Sequence, residues 1–197
     1  MNKKIARGVC KSTTKNILHD ILSQPHINRV LELGSGYGST PLIRGYMKKN
    51  NGFCLSLESK KKWVNRLRRT IPNDEYGEIK FAPLTCSVEY GCRYDYPLSE
   101  QFDVIFIDGP ASLTPEQQKY LYAYLQNCNS PLSNTRKGGS QSAALLDYVY
   151  PTMHENSIVV VDIRKLSVEH YKHQYNTVFQ FTSIKDGKVT LIQNKVK

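Results

Sequence analysis

The segment Arg29-Val-Leu-Glu-Leu-Gly-Ser-Gly-Tyr-Gly-Ser39, followed by Thr40-Pro41, constrains this chain more than any other stretch. Val30, Leu31 and Leu33 make an apolar strand interrupted only by Glu32, and it runs straight into three alternate glycines, Gly34, Gly36 and Gly38. Glycine lacks Cβ, so such a turn can adopt positive φ and let its backbone come close to a ligand. Pro41 suits the first turn of a helix, whose free N–H groups and positive dipole end attract negative or polar groups. Strand, tight turn and helix start together predict a site for a nucleotide-like cofactor. The dinucleotide pattern G-x-G-x-x-G is not met, because its third glycine would fall at position 39, which is Ser39.

Glu32-x-Gly34-x-Gly36-x-Gly38 instead resembles the first motif of the class I S-adenosylmethionine-dependent methyltransferases, in which the acidic residue lies near the cofactor's methionine amino group. The resemblance implies that Glu32, Gly34, Ser35, Gly36, Tyr37, Gly38 and Ser39 bind S-adenosyl-L-methionine. Phe53 to Leu57 reads as a second strand ending in Glu58, which lies 24 positions past Gly34. That is near the separation of about 20 residues expected of an acid that accepts from ribose hydroxyls, and Ser59 behind it can cap a helix. Glu78 to Leu84 reads as a third strand, and their position after it makes Cys86 and Ser87 candidates for the adenine pocket. Phe102 to Ile107 is almost continuously apolar, as in parallel strands buried on both faces. It delivers Asp108 to the carboxyl edge, where open α/β sheets bind ligands. Ile107-Asp-Gly-Pro110 looks like the fourth-strand motif of methyltransferases that act on small molecules or glycans, which implies that Asp108 lies beside the transferable methyl.

Helical stripes alternate with these strands. Ile17, Leu18, Ile21 and Leu22 mark one buried face behind Thr13 or Thr14, and Thr114-Pro-Glu-Gln117 is a capping box with proline at the first helical position. Ser157 to Ile163 reads as a fifth strand carrying Asp162, followed by Arg164 and Lys165. Asn176 to Ile184 and Lys188 to Asn194, joined by Lys185-Asp-Gly187, form a hairpin. The predicted fold is α/β: one domain over residues 1–197, a Rossmann-like doubly wound mixed sheet of seven strands with helices on both faces and an antiparallel C-terminal hairpin. A helix feeding a parallel fifth strand must run back toward the amino edge of the sheet. Residues 130–142 should therefore lie on the ligand side, as a mobile lid in which Arg136 or Lys137 contacts substrate, with Arg164 a third substrate-binding cation.

Methyl transfer to a hydroxyl needs the acceptor held in line and its proton removed. Asp108 and Asp162 are the catalytic candidates: one as base, or both holding a divalent cation that acidifies the acceptor. Metal-dependent catechol and caffeoyl-type methyltransferases resemble this pattern but carry Asn after the second Asp. Here Ile163 stands in that place, so a divalent cation is not favoured. Methylases of exocyclic amines carry Asp/Asn-Pro-Pro-aromatic after the fourth strand, whereas this chain has Asp108-Gly-Pro-Ala111, which favours an oxygen acceptor. Among the histidines no metal spacing is seen; His170 and His173 share a helix face and could assist proton removal.

The formal net charge of +10 would attract an anionic partner such as a nucleic acid. Lys60, Lys61 and Lys62 occupy the first turn of a helix, where the dipole disfavours cations and an anionic substrate would relieve them. Three functions stay open: an O-methyltransferase for a small molecule or sugar, an RNA methyltransferase acting on a cap or ribose, and a non-catalytic module that keeps the cofactor fold. The five cysteines contain no Cys-x-x-Cys pair and read as reduced, mostly buried thiols. No apolar run approaches the roughly 20 residues of a membrane span, and the first residues lack the apolar core of a secretory signal. The expectation is an intracellular, cytoplasmic protein without membrane contact; oligomeric state is not specified.

Overall fold

The computed structural model describes residues 12–133 and 142–195. Cys10 and the expected substrate contacts Arg136 and Lys137 lie outside them. The chain runs α1 (Ser12–Leu22), β1 (Arg29–Leu33), α2 (Thr40–Asn50), β2 (Phe53–Glu58), α3 (Lys61–Arg68), β3 (Gly77–Phe81), β4 (Leu84–Ser87), β5 (Gly91–Tyr94) and β6 (Phe102–Ile107). It continues through α4 (Pro115–Asn127), α5 (Leu145–Val149), a short 3-10 turn at Tyr150–Thr152, β7 (Met153–Asp162), α6 (Lys165–Tyr175), β8 (Phe179–Ile184) and β9 (Val189–Asn194).

Seven strands form one sheet in the order β3-β2-β1-β6-β7-β9-β8. The first five are parallel, and β9 pairs antiparallel with both β7 and β8. This is the doubly wound mixed sheet with a terminal hairpin that the sequence predicts. Successive side chains on a strand point to opposite faces. On one face Val30, Cys54, Val104, Phe106 and Val160 meet Leu18 and Leu22 of α1 and Ile43 and Met47 of α2. On the other, Leu31, Leu33, Ile105, Ile107 and Val161 meet Leu145 and Leu146 of α5 and Val168 and Tyr171 of α6. Each such side chain taken out of water contributes about 1.5–3 kcal/mol, so the central strands are fixed by burial on both sides. Strand alternation then hands the α1/α2 face to Glu32, Ser56, Glu58, Asp108 and Asp162.

Three expectations need correction. The third strand stops at Phe81, because Pro83 has no N–H to donate to a ladder. Leu84–Ser87 turns away to pair with Gly91–Tyr94 in a separate two-stranded hairpin that packs on α4. Second, Cys86 and Cys92 face each other across that hairpin and are joined by a disulfide, so they are not reduced thiols. Their spacing matches no framework or metal pattern, which is why the pairing is silent in the sequence. Cys54 and Cys128 are free, as expected. Third, the fifth strand begins earlier than Ser157 and ends one residue before Ile163: α5 gives way to the 3-10 turn around Pro151, and β7 begins at Met153 with an irregular register against β6. Among the described residues no helix is long and apolar enough to cross a membrane.

Alkylation of the denatured but unreduced protein is expected to label Cys54 and Cys128 and to spare Cys86 and Cys92. Peptide mass mapping that finds label on Cys86 would remove the bond.

Candidate active site

The register of the parallel strands assembles the site. Leu33 of β1 pairs with Leu57 of β2 and Ile107 of β6, and Ile107 pairs with Val161 of β7. The next residue along each strand therefore forms a row across the carboxyl rim: Glu58, Gly34, Asp108, Asp162. Glu32 lies one side-chain step below the gap that Gly34 leaves. Gly34 has φ +92, and a Cβ built on it would lie 2.5 Å from the Gly109 nitrogen. Only glycine tolerates both the dihedral and the approach. The carbonyl of Leu33 accepts from Asp108 N at 3.0 Å and Gly109 N at 2.7 Å, while Gly34 N donates to the Leu57 carbonyl at 2.9 Å. These bonds lock the glycine turn to the turn that carries Asp108.

Glu32 is completely buried. Its Oε2 accepts from Thr40 Oγ1 at 2.8 Å and Ser56 Oγ at 2.6 Å, and Thr40 Oγ1 accepts in turn from Gly36 N at 2.9 Å. Among the described residues its buried Oε1 has no hydrogen-bond partner. Desolvation raises this carboxyl to about 7, against the hydroxyls of Ser39, Ser56 and Thr40, with Asp108 adding to the rise. Glu58 Oε1 accepts from Lys60 N at 2.8 Å and from Ser59 Oγ at 3.4 Å, and burial pushes its carboxyl up as well. Burial, then the charge of Asp162, raises Asp108 to about 7; Arg164 opposes the shift. The Arg164 guanidinium lies 3.9 Å from Asp108 Oδ1 and donates to the Asp108 carbonyl. Asp162 is 5% exposed and accepts from Thr14 Oγ1 of α1 at 2.7 Å. Asp162 and Glu58 raise the cost of ionising Asp108, and Asp108 raises that of Glu32, so these acids are coupled.

Such a site favours a cationic ligand. Among the described residues the buried atoms lacking a partner include Ser35 Oγ and Tyr94 Oη as well as Glu32 Oε1, three groups drawn from the glycine turn and its surroundings. Sequence reasoning missed Tyr94 as a group beside the glycine turn, offering it only as one of three tyrosines, with Tyr90 and Tyr96, in a loop that could face substrate. Tyr94 rises from the β4–β5 hairpin, its hydroxyl would touch a Cβ on Gly109 at 2.5 Å, and its burial raises the phenol well above its usual range. Trp63 of α3 was also missed; its Nε1 donates to the Ser35 carbonyl at 2.8 Å, and the Tyr37 ring meets its edge. Ser56 had a signal, since parallel pairing of two strands ending in acids puts it beside Glu32. Tyr94 had none without the hairpin.

The remaining sequence candidates fall in different places. Cys86 is held in the disulfide, and Ser87 Oγ accepts from Glu89 N and Tyr90 N at 3.2 and 3.3 Å, so both side chains are committed to the hairpin. Ser142 Oγ donates to the Gly109 carbonyl at 2.6 Å, which puts the chain entering α5 on the ligand side. His170 and His173 do not act together: His170 is fully buried beside Ser130, while His173 is exposed. Burial, then His173, lowers His170 to about 4, so it is a neutral packing group. Among the described residues no group of three or more His, Cys, Asp or Glu could hold a metal ion.

Glu32 gives a pH signature. Its folded-state value is raised from 4.5 to about 7, so the stability it contributes is present below about 4.5 and is lost as the pH climbs through about 7. Urea denaturation of wild type relative to Glu32→Gln should show a loss of about 3 kcal/mol across that window. A difference that stays flat with pH would contradict a protonated buried carboxyl.

No protein-family model and no curated protein sequence matches the chain. Solved structures do. An O-methyltransferase from Bacillus cereus in complex with SAH is 14% identical with TM-score 0.56, over 96% of this chain and 83% of that one. An SAH-bound methyltransferase from Podospora anserina is 14% identical with TM-score 0.55, over 92% of this chain and 76% of that one. A methyltransferase from Geobacter sulfurreducens is 12% identical with TM-score 0.55, over 96% and 82% respectively. At such identities the likeness is one of fold, and it agrees with the strand order: the chain has the Rossmann-like fold of class I methyltransferases.

Proposed function

We propose that this chain is a single catalytic domain over residues 1–197 that transfers a methyl group from S-adenosyl-L-methionine to an oxygen of a small molecule or sugar. The observation that carries the reading is the rim row Glu58, Gly34, Asp108, Asp162 above the buried Glu32. A carboxylate-lined notch whose only gap is a glycine suits a ligand with an ammonium and a sulfonium. The cofactor's fit is supported by Glu32 Oε1 and Ser35 Oγ, which are buried beside the turn and unpartnered among the described residues. Glu32, Ser35 and the backbone from Gly34 to Ser39, Tyr37 included, would hold the amino-acid end, and Glu58 with Ser59 the ribose. SAH in the Bacillus cereus and Podospora anserina proteins is consistent with the same ligand here.

The bound cofactor supplies an electrophilic methyl with its own leaving group. This chain's residues must orient the acceptor and take its proton. Asp108, raised to about 7, is matched to accept a hydroxyl proton at its carboxylate near neutral pH. Arg164 keeps part of the Asp108 population ionised, and Asp162 positions α1 over the rim through Thr14. With Asp108 facing Arg164 and Asp162 engaged by Thr14, transfer without a divalent cation is the reading the contacts favour. Arg136 and Lys137 complete it as acceptor contacts. A second reading, methyl transfer to RNA, is favoured by the concentration of cations on α3. A non-catalytic module is disfavoured by the gathering of Glu32, Glu58 and Asp108, which costs stability and serves packing poorly. Cytoplasmic residence is a reading of the sequence alone, and the Cys86–Cys92 bond weighs against it because reducing compartments keep thiols apart.

Calorimetry with S-adenosyl-L-methionine and with its demethylated product should show one site for each, lost in Gly36→Val. Asp108→Asn should bind cofactor but turn over about 10²–10⁴-fold more slowly in a labelled-methyl screen over phenols, sugars, nucleotides and RNA. Absence of binding heat for both ligands would sink the proposal; full turnover by Asp108→Asn would remove that residue from it.

A further inference from the structure

Lys60 to Arg69 contains six cations, Lys60, Lys61, Lys62, Arg66, Arg68 and Arg69, and no acidic residue, in a chain of net charge +10. Basic residues serving solubility alone would be scattered; here more than half of the excess is on one ten-residue segment. All six are exposed. The start of α3 has no acid in its first turn and no side-chain cap, a placement of lysines that the helix dipole disfavours. Glu58 offsets part of it, accepting from the Lys60 nitrogen and facing the Lys60 charge.

Among the described residues the ion pairs involve other cations and none of these six. Lys62, Arg66 and Arg69 stand at i, i+4 and i+7, in one row about 10 Å long. The row starts at the rim. Trp63 of the same helix holds the Ser35 carbonyl of the glycine turn, and Lys60 Nζ reaches Ser112 Oγ, beyond β6, at 3.2 Å. An anionic floor is therefore flanked by a cationic wall. The floor suits a cationic cofactor, and the wall suits an acceptor of opposite charge. A single phosphate would engage one or two of these side chains. A row of about 10 Å is longer than any one phosphate group, so it suits successive phosphates of a strand, each neutralised by its own cation.

We propose that the exposed face of α3 docks an RNA strand, and that the sugar hydroxyl methylated at the rim is a ribose hydroxyl of that strand. The acceptor assignment rests on the second reading, methyl transfer to RNA, whereas docking requires no cofactor. The test is fluorescence anisotropy of a labelled twelve-nucleotide RNA over a salt series, without cofactor, on three proteins. Lys62→Glu/Arg66→Glu removes two cations of the row. Lys48→Glu/Lys49→Glu changes the net charge equally at the exposed carboxyl end of α2, the end of that helix remote from the rim. Circular dichroism melts confirm that each variant is folded.

The α3 variant is expected to bind at least tenfold more weakly, with a salt slope lower by about 1.4, or about 0.7 for each phosphate that is no longer neutralised. The α2 variant is expected to stay within about twofold of wild type. Equal weakening in both variants would reduce the effect to net charge and overturn the docking surface. So would displacement of the RNA by inorganic phosphate at matched phosphate concentration, which would mark a single-anion site. Labelled methyl should enter the same RNA and fall with the α3 variant. RNA bound through α3 that receives no methyl would overturn the acceptor assignment alone, and failure of cofactor binding is read separately by calorimetry without RNA.

Discussion

The approach of two backbone turns at the sheet's carboxyl edge governs this structure. Gly34 and Gly109 touch so closely that neither position has room for a Cβ, and the Leu33 carbonyl ties both Asp108 and Gly109 to the end of β1. Because β1, β2, β6 and β7 are parallel and in register, closing these turns brings Glu58, Asp108 and Asp162 level with one another and leaves a notch at Gly34. Separating the turns would disperse the acids. Ser142 on the Gly109 carbonyl and Tyr94 against its Cα brace the same point from outside the sheet.

Gathering acids in this way runs against folding. An unpaired buried carboxylate is costly, and proteins commonly respond by neutralising it. Glu32 and Asp108, both raised to about 7, fit that response. The two apolar layers on either side of the sheet supply the burial that makes the arrangement tolerable. Two carboxyls raised to about 7 at the site, Glu32 and Asp108, are also poised: a cation arriving there would favour their ionised form, coupling ligand charge to proton loss.

Much of this was legible in the chain because the responsible patterns are local. Val30 to Gly38 and Phe102 to Pro110 each announce strand, turn and ligand edge within ten residues, and Lys185-Asp-Gly187 announces the terminal hairpin. Glu32, Glu58 and Asp108 follow from strand ends plus parallel pairing. What escaped depends on contacts between distant segments. Thr14 meets Asp162 across 148 positions, and nothing near either residue foretells it. The β4–β5 hairpin lacks a two-residue Asn-Gly or Asp-Gly turn, so Cys86 looked like a cofactor-pocket residue, Cys92 like a free thiol and Tyr94 like part of a loop. His170 looked like an exposed partner of His173 because helical spacing alone does not say which neighbour, here Tyr124 and Tyr171, covers it.

The central claim is that the acids at the rim exchange protons for a cationic ligand. Titration calorimetry of S-adenosyl-L-methionine at pH 7 in two buffers of different ionisation enthalpy measures that exchange directly. The account requires heats that differ between buffers by the release of about one proton per ligand bound, with a smaller release in Glu32→Gln. Equal heats in the two buffers, or proton uptake, would contradict it.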